Sequence, residues 1–464
     1  MARDFLTDSG VTAWLVGGTV RDLLLKREPG DIDMVTDGPP EAAARRFADK
    51  IGGSYFQLSE EFQSCRVITD DHRTTYDFSS LRGAGIEADL NQRDFTVNAM
   101  AARLFDGEII DPLGGLSDLE SRLLVPVDDA IFDHDPLRLL RALRLEKELG
   151  FSVSGVLETL IRAKSLLATR PAVERIWAEM GHLLEAPGAA PATRRMDELG
   201  LLEILLPEVH ALKGVSQNEY HHLDVYNHVL AASDALDRVI EDPAVIFPRQ
   251  AERILERSNL RIAGDASWRF VMGYSAIMHD IAKPHCRFTD ESGDFRFFEH
   301  DRIGAQMVGE TLTRMKASSG ATRAITQLVA CHMRFEGLKQ SVPPSSRARL
   351  RYLRATEPYT PEAIILSVSD QLAVRGPKTT DAAIERHLEL AGEMMDESFA
   401  DQEAQALPKL VGGDELMREL VLEPGPQVGR LLDRILEEQQ LGNISSRQEA
   451  LQLAMRILRE DQEN

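Results

Sequence analysis

The sequence predicts an α+β chain, with short strands and helices mixed up to about residue 125 and helices from there to the end. Three observations carry this. Short apolar runs bounded by turn residues, such as Ala13 to Val16, have the length and composition of strands. CRVIT (Cys65–Thr69) and TTYDF (Thr74–Phe78) flank the polar turn Asp70-Asp71-His72 and read as a hairpin. From Ile131 apolar residues recur at three- and four-residue spacing through LRLLRALRLEKELGF, a helical period that persists downstream.

Taken in order, the first strand runs into Gly17-Gly18, and a short amphipathic helix pattern opened by Thr19 carries Arg21 and Asp22. Asp31-Ile32-Asp33 follows between apolar residues. Strand alternation puts Asp31 and Asp33 on one face. Two adjacent carboxylates repel unless a cation lies between them, and hard oxygen ligands with room for phosphate oxygens suit Mg²⁺. Paired glycines let backbone N–H groups approach a phosphate, and the helix start favours negative charge there. One short segment thus offers a metal pair and a phosphate cradle, the apparatus of two-metal nucleotidyl transfer.

NQRDFTVNAMA (Asn91–Ala101) places Arg93 and Asp94 before a helix-like run, with Asn98 one turn later and Asp94 or Thr96 as its cap. A strand-like EII leads into DPLGGLSDL (Asp111–Leu119), where Gly114-Gly115 permit a tight turn and Asp118 is the expected cap. In HDPLRLLRALR, Arg138, Arg141 and Arg144 repeat every three residues along one side of a helix. Asp135 and Arg138 lie one turn apart. Together they offer an acceptor and a planar donor fork, the complement of the amino group and ring acceptors of C or A. Pro171 opens a further helix, PAVERIWAEMGHLLEA. Downstream come His228 (HHLDVYNHVL), His279-Asp280 (MHDIAKPH), His300 (FFEHD), His332 (CHMRF) and Asp370 (SVSDQ). Imidazole and carboxylate in this order suit a transition metal or Mg²⁺.

Composition bounds the rest. A chain of 464 residues, 43% hydrophobic, holds about three domains and real cores. No apolar run approaches the roughly 20 residues that cross a bilayer. MARDFLTDSG has no signal-peptide pattern, and Cys65, Cys286 and Cys331 show neither a disulfide framework nor zinc spacing, so a cytoplasmic location is expected. The formal charge of -22 argues against nonspecific coating of nucleic acid, while Arg138/Arg141/Arg144 and Arg194-Arg195 remain local basic patches.

LVGGTVRDLLLKREPGDIDMVT resembles the catalytic signature of polymerase β-type nucleotidyltransferases, in the form used by class II tRNA nucleotidyltransferases and bacterial poly(A) polymerases. The resemblance continues over nearly the whole chain. RDFTVNA is similar to RRDFTxNA, with Arg93 matching the Arg that contacts the triphosphate and Gln92 in place of the first Arg. HDPLRLLRALR is similar to EDxxRxxRxxR, with His134 in place of Glu. AVERIWAEM resembles a neck helix in which Glu174, Arg175 and Glu179 brace the base-selecting helix. GPQVGRLLDRI (Gly425–Ile435) resembles a tail segment. The His/Asp series resembles the HD phosphohydrolases. The resemblance implies a head with a small mixed sheet (1–125), an all-helical neck (126–206), an HD domain (207–376) and a helical tail (377–464).

It further implies that Asp31 and Asp33 hold Mg²⁺, with Asp77 either a third catalytic carboxylate or a solvated strand end. Gly17, Gly18, Arg21, Arg93, Asp94 and Asn98 serve the triphosphate, and Asp135, Arg138, Arg141 and Arg144 the incoming nucleotide. His228, His279, Asp280 and Asp370 hold a divalent ion of unspecified identity. His300 and His332 hold a second ion or contact phosphate, and Lys283 neutralises phosphate charge. The expected partners are a tRNA 3′ end, CTP and ATP, with no membrane. Only 14 residues, SSLRGAGIEADLNQ, separate Phe78 from Arg93. Full CCA-adding members carry a longer loop here, so addition of C only is expected, unless Gly83–Gly85 supplies the lever. The alternatives are a poly(A) polymerase, an A-adding enzyme, or an HD phosphohydrolase whose head only binds RNA.

Overall fold

The apolar run Ala13–Val16 forms strand β1, and the alternation of its neighbours builds a two-faced sheet around it. The structure, a computed structural model, describes residues 11–59, 63–263, 266–339, 343–404 and 409–463, so the MARDFLTDSG segment lies outside the described residues. The chain divides into two units, Met1–Leu183 with Arg194–Pro207, and Leu184–Thr193 with Glu208–Asn464.

In the first unit seven strands form one mixed sheet: β1, β2 (Asp31–Thr36), β3 (Ser54–Ser59), β4 (Ser64–Ile68), β5 (Thr75–Ser80), β6 (Ala101–Arg103) and β7 (Ile109–Ile110). Their order is β3-β4-β5-β2-β1-β6-β7. Only β2 and β5 run parallel, because the chain between them crosses through the helix Glu41–Ile51 and the β3–β4 hairpin. The β4–β5 hairpin forms across the polar turn, with Ile68 opposite Thr75 and Arg66 opposite Asp77.

Alternation then sorts the side chains. Ala13, Met34, Val67 and Phe78 pack under Phe47 of the helix Glu41–Ile51. Trp14, Val16 and Val35 pack with Leu90, Ala99 and Ala101 on the opposite face. Asp31 and Asp33 belong to the same alternate set as Val35, so the second face carries the carboxylates.

The remaining first-unit helices include Arg138–Leu149, Gly155–Lys164 and Val173–Leu183. Ser154 caps the second by accepting from the Leu157 N–H. A two-residue parallel ladder, Leu123–Leu124 with Ser152–Val153, is added to this otherwise helical region.

Three local features differ from the sequence expectation. The run after Asp94 makes only a 3-10 turn, Thr96–Asn98. Asp118 lies inside the helix Gly115–Glu120 and accepts from the Thr96 hydroxyl at 2.6 Å. The capping is done by Asp111, which accepts from the N–H groups of Gly115 (2.7 Å) and Leu116 (2.9 Å). The glycine pair is nonetheless required, since Gly114 has φ of 76° and a Cβ on Gly115 would lie 2.3 Å from the Thr96 carbonyl.

Among the described residues the second unit is helical apart from two short ladders. Its central helices are Val225–Glu241, Trp268–Met278, His300–Arg314, Ser319–Cys331 and Thr360–Ala373. Asp224, Ser267 and Ser318 cap three of them with side-chain oxygens. The C-terminal helices Gly413–Leu420, Pro426–Gln440 and Arg447–Glu463 close over Leu416, Leu431, Ile435 and Ala454. Among the described residues no helix is long and apolar enough to cross a membrane.

Candidate active site and metal centre

In the first unit, the turn after β1 fixes the geometry. Gly17 has φ of 65°, and a Cβ there would lie 2.9 Å from Arg93 Nη1 and 3.6 Å from Asp33 Oδ2. Only glycine lets the backbone approach both groups. The helix Gly18–Leu24 is tied to β2 by Thr19, whose hydroxyl donates to the Asp31 carbonyl (3.1 Å) and accepts from the Asp33 N–H (2.8 Å). These two bonds lock the Gly17-Gly18 turn to the carboxylate strand.

Parallel pairing of β2 with β5 sets Asp33 beside Asp77. Burial and the Asp77 charge, with a smaller contribution from Asp31, push the Asp33 carboxyl up to about 6, and Arg93 and Arg141 pull it only part of the way back. Crowding of this kind is what a divalent cation relieves, so the donor set fits a metal. Asp77 is not a solvated strand end. It accepts a bidentate pair from Arg66, Nε and Nη2 each at 2.7 Å, and Arg66 also comes within 3.8 Å of Asp31.

A cavity of about 140 Å³ opens beside Asp33, lined by Gly17, Gly18, Arg82, Arg93, Asp94, Asn98, Arg138 and Arg141. Asp94 is buried and organises the wall. Its carboxylate accepts from the Phe95 N–H (2.8 Å) and the Asn98 amide (3.0 Å) and lies 3.3 Å from Arg141 Nε. Burial would raise its pKa, but Arg141 and these hydrogen bonds outweigh burial and hold it below the ordinary range. Asn98 in turn accepts from Arg21 (2.7 Å), which also pairs with Asp22. Arg21 is therefore a buried strut beside Gly18 and does not line the cavity.

The three arginines of the helix Arg138–Leu149 diverge. Arg138 donates to the Gln92 carbonyl (2.8 Å), Arg141 meets Asp94, and Arg144 turns away to Glu179 (2.7 Å) and Glu148 (2.8 Å). Asp135 pairs with Arg175 at 2.8 Å. Arg175 and Glu179 thus brace this helix. His134 is exposed, 4.0 Å from Asp128. Sequence reasoning missed Arg66, Arg82 and Asp89. The hairpin register would have found Arg66, since Ile68 opposite Thr75 implies Arg66 opposite Asp77.

In the second unit the expected His and Asp residues do come together, each delivered by a helix end. His279 and His332 follow the last turns of Trp268–Met278 and Ser319–Cys331, and His300 begins His300–Arg314. His228 lies in the first turn of Val225–Glu241 and Asp370 in the last turn of Thr360–Ala373. Two triads form, His228/His279/Asp370 and Asp280/His300/His332, with the ligand atoms of each within 4.8 Å of one another. The Asp280 carboxylate bridges them, with Oδ2 3.2 Å from His279 Nε2 and Oδ1 3.4 Å from His300 Nε2.

Three of the histidines are oriented from behind. Nδ1 of His279, His300 and His332 lies 2.9, 2.6 and 2.6 Å from the carbonyls of Ala276, Phe297 and Val329. Donation from Nδ1 leaves Nε2 as the inward lone pair, the arrangement of a metal ligand. His300 and His332 then face each other, Nε2 to Nε2, at 3.2 Å, and buried His279 Nε2 has no hydrogen-bond partner. These atoms fit a metal better than they fit one another. Lys283 reaches Asp280 at 2.6 Å and donates to Gln217 at 2.7 Å. A cavity of about 760 Å³ borders the cluster, and His221, not foreseen as a site residue, joins its lining. Both three-ligand clusters found among the described residues lie here. The head carboxylates are not drawn as tightly together.

Three families match along the chain: the Poly A polymerase head domain over residues 13–125, the probable RNA and SrmB-binding site of polymerase A over 150–213, and the HD domain over 270–375. An A-adding tRNA nucleotidyltransferase of Deinococcus radiodurans is 33% identical over 445 residues, covering 94% of each chain. A CC-adding tRNA nucleotidyltransferase of Thermus thermophilus is 34% identical over 447 residues, covering 94% of this chain and 92% of the relative. Among solved structures, a CCA-adding enzyme in complex with ATP superposes with a TM-score of 0.64 at 20% identity, covering 98% of this chain and 94% of that one. That likeness establishes the shared fold of sheet-bearing head, helical middle and HD domain. Similarity over nearly the full length of both relatives shows that the chain belongs to the tRNA nucleotidyltransferase family.

Proposed function

We propose that the head transfers a nucleotidyl group from CTP or ATP to the 3′ end of tRNA without a nucleic-acid template. The observation that carries this reading is the meeting of Asp33, Gly17-Gly18 and Arg93 at one cavity, with Asp31 and Asp77 on the adjoining strand positions. The RNA 3′-hydroxyl attacks the α-phosphate and pyrophosphate leaves. Asp31, Asp33 and Asp77 would hold Mg²⁺, which supplies Lewis acidity toward the attacking hydroxyl and the leaving pyrophosphate. Gly17, Gly18 and Arg93 bind the triphosphate. Asp94 keeps Arg141 in the cavity wall, and Asn98 holds the strut Arg21 behind it.

Asp135 and Arg138 choose the base. Their hydrogen-bonding edges engage Arg175 and the Gln92 carbonyl. An incoming C or A replaces these partners with its own acceptor and donor groups, whereas U and G present the wrong pattern. Residues 79–92 favour addition of C alone, because this short segment is pinned. Its helix Ile86–Leu90 carries Asp89, wholly buried and bonded to both Arg82 and Arg93. Relatives named A-adding and CC-adding are equally similar, so similarity does not choose between them. Offering ATP to tRNA that already ends in both C nucleotides tests the narrower reading, and efficient incorporation overturns it.

A second activity is supported by the paired triads. His228, His279 and Asp370 would hold one divalent ion, and Asp280, His300 and His332 another, supplying activation of water toward a phosphoester. Lys283 and His221 border the same cavity and meet the phosphate. The tRNA 3′ end, CTP and ATP are the partners of the head, and a phosphoester is the substrate of the HD site.

A further inference from the structure

We propose that Arg82 is a triphosphate-binding residue of the head, standing in for the arginine that Gln92 has replaced. The inference rests on the nucleotidyl-transfer reading above and assigns a residue that no motif marked. Arg82 lines the cavity together with Gly17, Gly18, Asp33 and Arg93. The cavity wall carries four guanidinium groups (Arg82, Arg93, Arg138 and Arg141) against two carboxylates (Asp33 and Asp94). That excess of positive charge, in a chain of formal charge -22, suits a polyanion.

Arg82 is fixed there by a device that also fixes Arg93. Asp89 is wholly buried, and its Oδ1 accepts from the Arg82 N–H (3.1 Å) and Nε (3.0 Å). Its Oδ2 accepts from Arg93 Nε (3.1 Å) and Nη2 (2.8 Å). One carboxylate thus holds two guanidinium groups on one wall, and pre-oriented donors lose little freedom when phosphate arrives. Gln92 does not line the cavity. Its amide donates to the carbonyls of Arg82 (3.2 Å) and Ala88 (3.1 Å), so it braces the turn that carries Arg82. The second cation of the RRDFT pattern is absent from the sequence position where it is expected. Arg82, ten residues earlier and about 45% exposed, supplies it in space.

The test compares CTP with CMP binding to the full chain in the presence of Mg²⁺ and absence of tRNA. It adds KM and kcat for CTP on trimmed tRNA. A charge-assisted hydrogen bond to phosphate predicts that Arg82→Ala weakens CTP binding by about tenfold or more. CMP affinity stays unchanged, KM rises in step and kcat stays within about twofold. Arg82→Lys recovers part of the loss, as does adding Gln92→Arg to Arg82→Ala. Loss of CTP and CMP affinity together marks a structural role and overturns the inference, as does CTP affinity equal to that of the unaltered chain. An unaltered chain that binds CTP but never extends tRNA overturns the nucleotidyl-transfer reading instead.

Discussion

Replacing Asp94 by alanine should cost the head about 2–6 kcal/mol, and the structure shows where the cost arises. The carboxylate is buried and satisfies two buried donors, the Phe95 N–H and the Asn98 amide. Leaving each unsatisfied costs about 1–3 kcal/mol. The Arg141 pair adds little, since that guanidinium is 47% exposed and re-solvates. Asp94→Asn retains an acceptor oxygen and should cost about half as much. The measurement is calorimetric unfolding, with the head transition followed separately because a multi-unit chain need not melt in one step. The pH dependence follows with its sign. The folded carboxyl is held below the ordinary 3.8, so its stabilisation is present above that value and is lost as pH falls through the lowered one. Asp94→Asn should flatten that acid limb. A cost below about 1 kcal/mol for Asp94→Ala, with the acid limb unchanged, would refute the reasoning.

The two sites should separate: Asp31→Ala abolishes nucleotide addition and spares metal-dependent phosphoester hydrolysis, and His279→Ala does the reverse. Loss of both activities in one folded variant would contradict two independent centres. Arg138→Ala should weaken selection of CTP and ATP over UTP and GTP more than it slows transfer, because a site that loses a base-pairing group loses discrimination by orders of magnitude. Unchanged selectivity in a nucleotide-competition assay would return Arg138 to a structural role. Arg144→Ala should lower head stability by about 2 kcal/mol, since it leaves the largely buried Glu179 unpaired. Its CTP affinity should stay unchanged, and a titration showing weakened binding would place Arg144 in the nucleotide site.

Legibility in the sequence followed the range of the physical signal. Strand β1, the Asp31/Asp33 face and the β4–β5 hairpin were readable because period-2 alternation and turn chemistry are local. The clustered His and Asp residues were readable because few core helices carry so many such residues in that order. What lay beyond reach depends on side-chain paths. Arg138, Arg141 and Arg144 share a spacing, yet an i, i+3, i+6 series drifts around a helix of 3.6 residues per turn, and the three find different partners. Asp89 gathers Arg82 and Arg93 through the fold of residues 79–92, which no periodicity encodes. Asp111 displaced Asp118 as the cap because the Gly114 turn brings an earlier residue over the helix start. RDFTVN has a helix opening in its sequence but only Ala99 and Met100 separate it from β6 at Ala101, so a 3-10 turn is all that fits.

The most direct test of nucleotidyl transfer at the head is incubation of the purified chain with tRNA trimmed of its 3′-terminal nucleotides. CTP and ATP are supplied separately with Mg²⁺, and the products are read at single-nucleotide resolution. Extension by C from CTP is expected, stopping after the second C, with no extension in Asp31→Ala. Absence of extension from either nucleotide, on tRNA trimmed to any of its last three positions, would contradict it.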